Sequence, residues 1–562
     1  MTQLDMTPGA QIPRTDVGPQ TAATQALSSA AYRDGSFREL AAKLGATLKD
    51  GRFALFEPSV GEAFSRAVID RTLPAKRLPL VPSHGTDARM VVEHCLAAQE
   101  LRNARDRQLS LVTLVCGLLF LPGTLVWLAA FQVRAVAKKK LAPLKEKKVL
   151  SAKERRLSAE QSFFSTLALL VAFGIAALFA IRPPIGGPWS LYVRLMMVAP
   201  VVGWFIAKRI CLRSTIDLRS RWGGLLDGGV VAATVPKAVP RDDLDRKAAD
   251  LRASLERLTA EQETNIHHYA GKKGLLGTGM RWVTVEMNED LRPAAGHADF
   301  RTFHRWDLAK KIAERLGGVA ASELPGGTMP HVSVQHWVVQ DLPEGADEIG
   351  RPGTPEMDGY RMRDFGIQQI ANRQTIGTDT DANVAAQLVL HNGQVVATVI
   401  VKITILGSNL RVSAYGHALG PLNGLFTAKP KPKEVKIPKT GKFWEEKTVI
   451  LPLVDDDEVV RQAIRAPFMK IPGLLVWLGG ALVLPEPFCL RQAWTDPTWA
   501  RRAMSDSVLY TAQPLFNAVQ ATTIEFLADH DVDVERFTNR SNISRSENQG
   551  VRPFKADVYD AG

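Results

Sequence analysis

Hydrophobic positions cluster in three segments, and these predict a membrane region over residues 109–207. The segments are residues 109–133, 163–181 and 189–207. The second and third are apolar on every face of a helix, and each has 19 residues, close to the roughly 20 that span a hydrocarbon core. Because a turn of only seven residues joins them, we expect a helical hairpin that crosses the membrane twice.

The first segment is interrupted at its centre by Pro122-Gly123, which leaves two topologies open. A re-entrant segment that turns at this pair has arms of about 12 residues, or roughly 18 Å of helix, too short to cross. A kinked single span is the alternative, and it places the N-terminal region outside without an export signal. We expect the re-entrant topology, because it keeps Arg102, Arg105 and Arg107 on the cytoplasmic side.

Basic residues flank the apolar segments and orient them. Residues 134–162 contain ten Lys and Arg against three Glu, whereas the turn after the second segment contains only Arg182. Positive charge is retained on the cytoplasmic side, so we expect a multi-pass plasma-membrane protein with the bulk of the chain in the cytoplasm. The basic loop is expected to contact anionic lipids of the inner leaflet, at about 1 kcal/mol for each Lys or Arg near the surface. These predicted lipid contacts are Lys138, Lys139, Lys140, Lys145, Lys147, Lys148, Lys153, Arg155 and Arg156.

Alternation of apolar and polar residues predicts a cytoplasmic α+β domain over residues 265–545. Its clearest element is an antiparallel meander of three strands, because Asn392-Gly393 favours a two-residue type I′ turn and residues 407–409 supply a second turn. Further strands are predicted at residues 280–287 and 331–339, and helices at residues 303–318, 455–470 and 498–530. The predicted fold is therefore an α-helical membrane anchor, a hairpin plus a kinked or re-entrant segment, joined to an α+β domain containing an antiparallel meander.

The other regions are predicted from composition and spacing. Residues 1–35 and 546–562 are expected to be tails, the first disordered because it is rich in Thr, Gln, Ala, Pro and Gly. Residues 36–108 form a helical region, and residues 208–264 a helical connector. The connector has apolar residues at heptad spacing, which indicates either a helix packed on its own domain or a short oligomerising stalk. They are Leu244, Ala248, Leu251, Leu255 and Leu258.

Two further segments outside the membrane region are open to two interpretations each. The Lys-Pro repeats of residues 429–447 should be extended and solvated, and either form a plain loop or contact an anionic surface. Residues 473–485 are apolar but too few to span a membrane. A buried core helix is expected there, and insertion into the membrane interface is the alternative.

Charge and cysteine content narrow the function classes. The net charge of +12 and the pI near 9.5 favour contacts with polyanions. Because the basic residues flank the apolar segments, we expect anionic lipid to be that polyanion and do not expect nucleic acid. The four cysteines form no CxxC pair, and HExxH and GxSxG motifs do not occur. We therefore expect no disulfide, no metal, no cofactor and no catalytic site.

One loop, residues 265–282, combines histidines, lysines and glycines that could bind a ligand. It matches neither a P-loop nor GxGxxG. Glycine amides and lysines can still bind a phosphate, and a plain connection into the next strand is the alternative. The candidate ligand or partner residues are His267, His268, Tyr269, Gly271, Lys272, Lys273, Gly277 and Gly279.

In this loop the chain resembles a family of uncharacterised actinobacterial membrane proteins, Streptomyces-type, that carry Tyr-Ser-Gly-x-x-Pro-Phe-x-Gly-x-Gly. Residues 269–279 follow the motif, with Ala270, Gly274 and Leu275 replacing its Ser, Pro and Phe. Two further stretches are similar, residues 82–98 and 522–551. The resemblance implies a multi-pass plasma-membrane protein and no established reaction.

The function expected from these features is that of a membrane-anchored scaffold. It would recruit a cytoplasmic protein partner to the inner face of the plasma membrane, and it could form a homo-oligomer. A phage-tail-like contractile injection assembly or a stress-response or cell-death machine is one class of partner. The alternative is a membrane-bound enzyme or nucleotide-sensing effector that uses the loop at residues 265–282.

Overall fold

We describe the fold from a computed structural model of the chain. The described residues include most of the N-terminal region, a long apolar helix and most of the α+β region. They are residues 5–13, 18–38, 42, 47–74, 78–129, 174, 177–178, 181–182, 187, 189–239, 245–270, 274–321, 323–324, 327–328, 330, 332–341, 357–373, 379–432, 434–439, 442–450, 452–496, 499 and 502–537.

Twelve described α-helices are numbered in chain order. They are α1 (Ala22–Ala30), α2 (Val60–Thr72), α3 (Ala88–Val112), α4 (Leu121–Ala129), α5 (Trp189–Asp227), α6 (Arg246–Gln262), α7 (Arg305–Ala321), α8 (Asp364–Arg373), α9 (Gly424–Thr427), α10 (Asp456–Arg465), α11 (Pro472–Gly479) and α12 (Arg502–Asp529). Short 3-10 turns lie at Ala54–Phe56, Ala466–Lys470 and Gln492–Trp494, and a π-helical turn lies at Thr113–Leu118.

Fourteen described strands form one large sheet and four two-stranded pairs. They are β1 (Leu48–Asp50), β2 (Ile266–Tyr269), β3 (Met280–Asp290), β4 (Glu323–Leu324), β5 (Gly327–Thr328), β6 (Val332–Asp341), β7 (Met357–Asp358), β8 (Arg361–Met362), β9 (Thr380–Leu390), β10 (Val395–Leu406), β11 (Asn409–Leu419), β12 (Glu434–Lys439), β13 (Lys442–Ile450) and β14 (Gly480–Leu482). The large sheet has the order β2-β6-β9-β10-β11-β3, parallel between β2 and β6 and antiparallel elsewhere.

The predicted meander is confirmed as β9, β10 and β11. Its second turn has two residues, because Leu406 pairs with Asn409 across Gly407, whose φ is 59°. The prediction of a two-residue turn at Asn392-Gly393 is wrong. Leu390 pairs with Val395, so the loop has four residues, and three of them take positive φ. The extra left-handed residue is His391, whose ring Nε2 lies 3.0 Å from Ser507 Oγ on α12.

One face of the sheet forms a large apolar core with α7 and α12. Alternate residues of β10 are fully buried there, including Val399, Val401 and Ile403. Three residues of the predicted α12 stripe, Phe516, Val519 and Leu527, belong to the same core. Helix α7 continues to Ala321 rather than ending at Gly317-Gly318, and neither glycine takes a positive φ. The core is the expected result of alternation in the strands and of 3.6-residue periodicity in the helices.

A second core joins the N-terminal helices to the region around residues 422–494. The prediction of a disordered tail over residues 1–35 is wrong for α1, since all but the first of its nine residues are buried. Its composition is poor in large apolar residues, but Ala23, Ala26 and Ala30 allow close helix packing, and Thr21 caps the helix by accepting from Thr24 N–H. Small buried side chains thus stabilise a segment whose composition suggests disorder.

The predicted α+β domain of residues 265–545 also makes contacts with the N-terminal region. Strand β1, near the N-terminus, pairs with β14. Arg465 forms a buried bidentate ion pair with Glu62 of α2, at 3.0 and 2.7 Å. In α6, Ala248, Leu255 and Leu258 are buried in the second core. Of the two interpretations of the heptad spacing, this arrangement agrees with a helix that packs on its own domain. Leu244 lies outside the described residues.

The predicted third apolar segment forms the first half of α5. This helix runs on to Asp227 without ending at residue 207, so the predicted connector begins inside it. Among the described residues, α5 is long and apolar enough to cross a membrane. The hairpin prediction rests on residues 163–181, and that segment lies largely outside the described residues, as does the basic loop 134–162.

The first apolar segment bends sharply near the predicted position. Helices α3 and α4, on either side of the break, make an angle of 101°. The break comes directly before Pro122-Gly123. A Cβ at Gly123 would overlap the carbonyl oxygen of Met196, so glycine allows α4 to approach α5 closely. Trp127 Nε1 donates to Met197 O at 3.1 Å across the same contact. The bend is compatible with a re-entrant segment and with a broken span.

Two smaller segments take shapes that the sequence only partly predicted. The Lys-Pro segment includes a hairpin of β12 and β13, in which Pro438 pairs with Glu446. Pro438 is compatible with this pairing because each strand of a two-stranded sheet is an edge. Residues 473–485 form most of α11 and then β14. Leu475 and Leu478 are buried, whereas Trp477 is half exposed.

Candidate polar groove

The second face of the large sheet is an open polar groove with a cavity volume of about 1110 Å³. It lies opposite α7 and α12, because side chains alternate across a strand. Ile400, Lys402 and Thr404 of β10 line it, between the buried positions of the same strand. From β11 come Arg411, Ser413, Tyr415 and His417. We call this surface the polar groove.

The floor of the polar groove has a shielded charge cluster. Asp381 of β9 contacts two cations, Arg305 Nη2 at 2.6 Å and Lys402 Nζ at 2.7 Å. Arg305 Nη2 also donates to Ala382 O at 2.9 Å, and its side chain is only 7% exposed. Water screens such a pair less than an exposed one, so the cluster holds β9, β10 and the start of α7 together.

Two buried polar atoms beside this cluster have no hydrogen-bond partner among the described residues. They are Asn383 Oδ1 and Arg305 Nη1, and both residues line the polar groove. Asn383 is 8% exposed. A buried polar atom without a partner is costly unless water or a ligand satisfies it. One acceptor and one donor at the floor are therefore without a hydrogen-bond partner among the described residues.

The opposite side of the polar groove presents more exposed cations. Arg411 forms a bidentate pair with Glu286 of β3, at 2.9 Å to each oxygen. The Arg281 guanidinium lies over the Tyr415 ring at 5.5 Å. Among the described residues Arg281 has no carboxylate partner. Arg281 is thus a cation available to an acidic group of a ligand.

The loop after β2 closes one end of the polar groove. Leu275 packs with Trp337 and Ile400 against the sheet. Thr278 Oγ1 lies 3.2 Å from Nδ1 of His417, and burial, assisted by Arg281, lowers the pKa of His417 to about 4. A Cβ at Gly279, whose φ is 83°, would overlap the carbonyl oxygen of Ala418. Glycine is therefore required there for the loop to lie on the sheet.

Some of the loop residues predicted to bind a ligand make contacts within the protein. The N–H of Gly277 donates to Gln492 Oε1 at 2.9 Å, and the N–H of Leu276 donates to His268 O at 2.9 Å. Those amides are not available to a phosphate. Tyr269 and Gly279 do line the polar groove. The remaining predicted residues Gly271, Lys272 and Lys273, and the predicted lipid contacts between Lys138 and Arg156, lie outside the described residues.

His267 is buried at the closed end in a stack of three rings. Its ring centroid is 3.6 Å from that of Trp337 and 5.5 Å from that of His84. Burial lowers the pKa of His267 well below its ordinary value, and the neighbouring His84 and His268 act in the same direction. Burial also lowers the pKa of His84 to about 4. These histidines are neutral packing groups at pH 7. In the described part of the chain, no three His, Cys, Asp or Glu side chains are placed to bind a metal ion.

The polar groove was not predicted, although part of its residue pattern is visible in the sequence. Lys402 and Thr404 alternate with the apolar stripe of β10, and Arg411, Ser413 and Tyr415 do the same on β11. Their convergence with Arg305 and Asp381 depends on a strand and a helix that are distant in the sequence.

Residues 282–553 match a family model described as an AbeC-like domain. The match begins within β3 and includes the meander, α7 and α12, and it covers just under half of the chain. It thus includes most of the residues of the polar groove but not the loop at residues 265–281. No curated protein and no solved structure matches the chain.

Proposed function

We propose that the protein is a membrane-attached scaffold that recruits a cytoplasmic protein partner, and that the partner binds in the polar groove. The observation that carries this proposal is the contrast between the faces of the sheet. One face is closed by a core, and the other is open, polar and partly unsatisfied in its hydrogen bonding. A surface of this kind is suited to binding rather than to packing.

Membrane attachment is supported by the surface of α5 and the segment before it. Large apolar side chains are exposed along α5, including Leu191, Leu195 and Phe205 at 63%, 44% and 62%. Leu111 and Leu118 on the adjacent bent segment are 66% and 64% exposed. A contiguous apolar surface of this extent marks a contact with lipid or protein. With the flanking positive charge, it supports a plasma-membrane protein whose α+β region faces the cytoplasm.

The polar groove fits an extended polypeptide segment that carries an acidic side chain. Its volume of about 1110 Å³ is slightly above the range of about 300–1,000 Å³ for small-molecule pockets. Arg281, stacked on Tyr415, offers a cation to the acidic group. Asn383 and Arg305 offer an acceptor and a donor to the backbone of the segment.

Site-specific photocrosslinking in cells tests the proposal. A photoreactive residue at Leu406, a rim residue that is 46% exposed, should crosslink to one discrete protein. The matched control is Tyr510 on α12, which is 77% exposed beyond the opposite face of the sheet. The Leu406 adduct should be lost in the Arg281→Glu background, and the Tyr510 position should not form it.

Two results would contradict the proposal. Adducts that are the same at both positions would show nonspecific contact, and no Leu406 adduct would show that the polar groove is not the docking site. Binding of a nucleotide to the purified full-length protein, in a manner sensitive to Arg281→Glu, would instead support the effector alternative.

A further inference from the structure

A second exposed apolar patch lies outside α5, around α11. Phe53, Ile471 and Trp477 are 55%, 54% and 49% exposed, and we call these three residues the α11 patch. Phe53 lies beside α11 although it is distant in the sequence, because Phe53 N–H donates to Leu478 O at 2.9 Å, and Ile471 directly precedes the helix. Exposed aromatic and aliphatic side chains that cluster in this way mark an interaction surface.

Helix α11 is amphipathic in its contacts although its sequence is apolar throughout. Leu475 and Leu478 are buried on one side, and Trp477 is exposed on the other. The Arg52 guanidinium lies over the Trp477 ring at 4.2 Å. The helix has eight residues, about 12 Å, so it cannot span a bilayer. An aromatic residue beside a cation is the arrangement that favours the boundary between headgroups and acyl chains.

The chain segment before α11 contacts α3 and α5 at the place where their exposed apolar side chains begin. Thr113 Oγ1 donates to Ala463 O at 3.0 Å, and Ala466 packs in one cluster with Leu109 and Ala207. At the same level, Lys208 Nζ of α5 lies 2.9 Å from Asp456 Oδ1.

At this place the surface of α5 changes from apolar to charged. On α5, Phe205 and Ile206 are exposed, and the charged Lys208 and Arg209 follow directly. The 3-10 turn Ala466–Lys470 then leads directly into α11. The α11 patch therefore follows, along the chain, from the place where the exposed apolar side chains of α5 give way to charged ones.

We propose that the α11 patch inserts into the headgroup boundary of the bilayer that α5 crosses, with Trp477 as its anchor and Arg52 beside the lipid phosphates. The inference rests on the proposed membrane attachment. A shallow second contact would fix the orientation of the α+β region relative to the membrane, because one crossing helix alone leaves rotation about its own axis free. The polar groove would then face a defined direction.

Spin-label accessibility in vesicles tests this inference on the full-length chain. In a Cys116→Ala background, single nitroxide labels are attached at Trp477→Cys, at Leu195→Cys on α5 and at Tyr510→Cys on α12. Cys95, Cys211 and Cys489 are buried and stay in place, and labelling of the background itself measures their reactivity. Vesicles of phosphatidylcholine and phosphatidylglycerol are used, with oxygen as the apolar relaxant and a nickel chelate as the polar one. Phe53→Cys replaces Trp477→Cys should that variant not fold.

The expected result is a graded one. The label at 195 should be accessible to oxygen and protected from the chelate, and the label at 510 should show the reverse. The label at 477 should lie between the two, with an oxygen-to-chelate ratio several-fold above that at 510 and below that at 195.

Three other outcomes overturn the inference in distinguishable ways. A label at 477 that resembles the one at 510, with the label at 195 in lipid, shows that attachment holds but α11 faces water. Protection of the label at 477 from both relaxants shows that protein covers the patch. Access of the chelate to the label at 195 shows that the membrane attachment itself is wrong.

Discussion

The two faces of the large sheet show how one strand serves two purposes. On β10, Ile403 is 2% exposed in the core formed with α7 and α12. Its neighbour Thr404 lines the polar groove. The covered face stabilises the fold through apolar burial, and the open face holds charged and hydroxyl side chains for binding. Neighbouring residues in the sequence are therefore expected to respond to substitution in opposite ways.

The largest expected effect is on the covered face. Ile403→Ala should destabilise the protein by about 2–5 kcal/mol, because it leaves a cavity in a closely packed core. Thr404→Ala, one residue further on, should change stability by no more than about 0.5 kcal/mol. Denaturant unfolding of the full-length protein in detergent measures both. Equal losses for the two variants would show that the groove face is as tightly packed as the core.

The stability of the folded protein should depend on pH through His84, which lies at the closed end of the polar groove. Burial lowers the pKa of His84 from 6.5 to about 4, so the folded state disfavours its proton while the unfolded state accepts it. The stability from neutral His84 is present above pH 6.5 and is lost as pH falls towards 4. By pH 5 the loss is about 2 kcal/mol.

The variant His84→Phe keeps an aromatic ring beside His267 but removes the titrating group. Its stability should therefore fall less than that of the wild type between pH 7 and pH 5, which unfolding curves at the two pH values measure. An unchanged difference would show that His84 is protonated or exposed in the folded protein.

A substitution at the floor of the polar groove should reduce the stability by an intermediate amount. Asp381→Asn removes the charge that pairs Arg305 and Lys402. Because Arg305 is buried, we expect a loss of about 1–2 kcal/mol. Asp379→Asn, a nearby groove residue, is the matched control. The double variant Asp381→Asn/Lys402→Met shows which of the two ion pairs matters. If the unpaired Lys402 causes the loss of stability in Asp381→Asn, the double variant should be more stable than the single one.

The smallest effect is expected at the exposed rim. Arg411 and Glu286 are 49% and 39% exposed, and such surface pairs contribute less than about 1 kcal/mol. Arg411→Ala should leave the unfolding midpoint nearly unchanged while it weakens the crosslink from Leu406. A large loss of stability with an unchanged crosslink would reverse the roles that we assign to the two faces.

Local patterns predicted the parts of this fold whose contacts are periodic in the sequence. The meander, β3, β6 and α12 follow from alternation and helical spacing. The apolar character of residues 189–207 was also evident. The four-residue loop at His391–Gln394 was not predictable, because it depends on a contact between His391 and Ser507 of α12.

Composition alone gave wrong predictions for segments whose structure depends on tertiary packing. Helix α1 is buried because Ala23, Ala26 and Ala30 fit against helices that the sequence does not place next to it. Likewise, the glycines after β2 resemble a phosphate-binding loop, but Gly279 is required by the carbonyl oxygen of Ala418. The same residue types serve ligand binding and close packing, and only the surrounding atoms distinguish the two.

The sequence by itself determined which segments are apolar and which strands alternate, because those properties depend on residues a few positions apart. Only the tertiary structure decided that Arg305, Asp381 and Lys402 meet at the floor of one groove. It also placed Phe53 beside Trp477, through a backbone hydrogen bond between segments more than 400 residues apart. These sites are made of contacts between distant segments, and burial of the two cores supplies the free energy that holds those segments together.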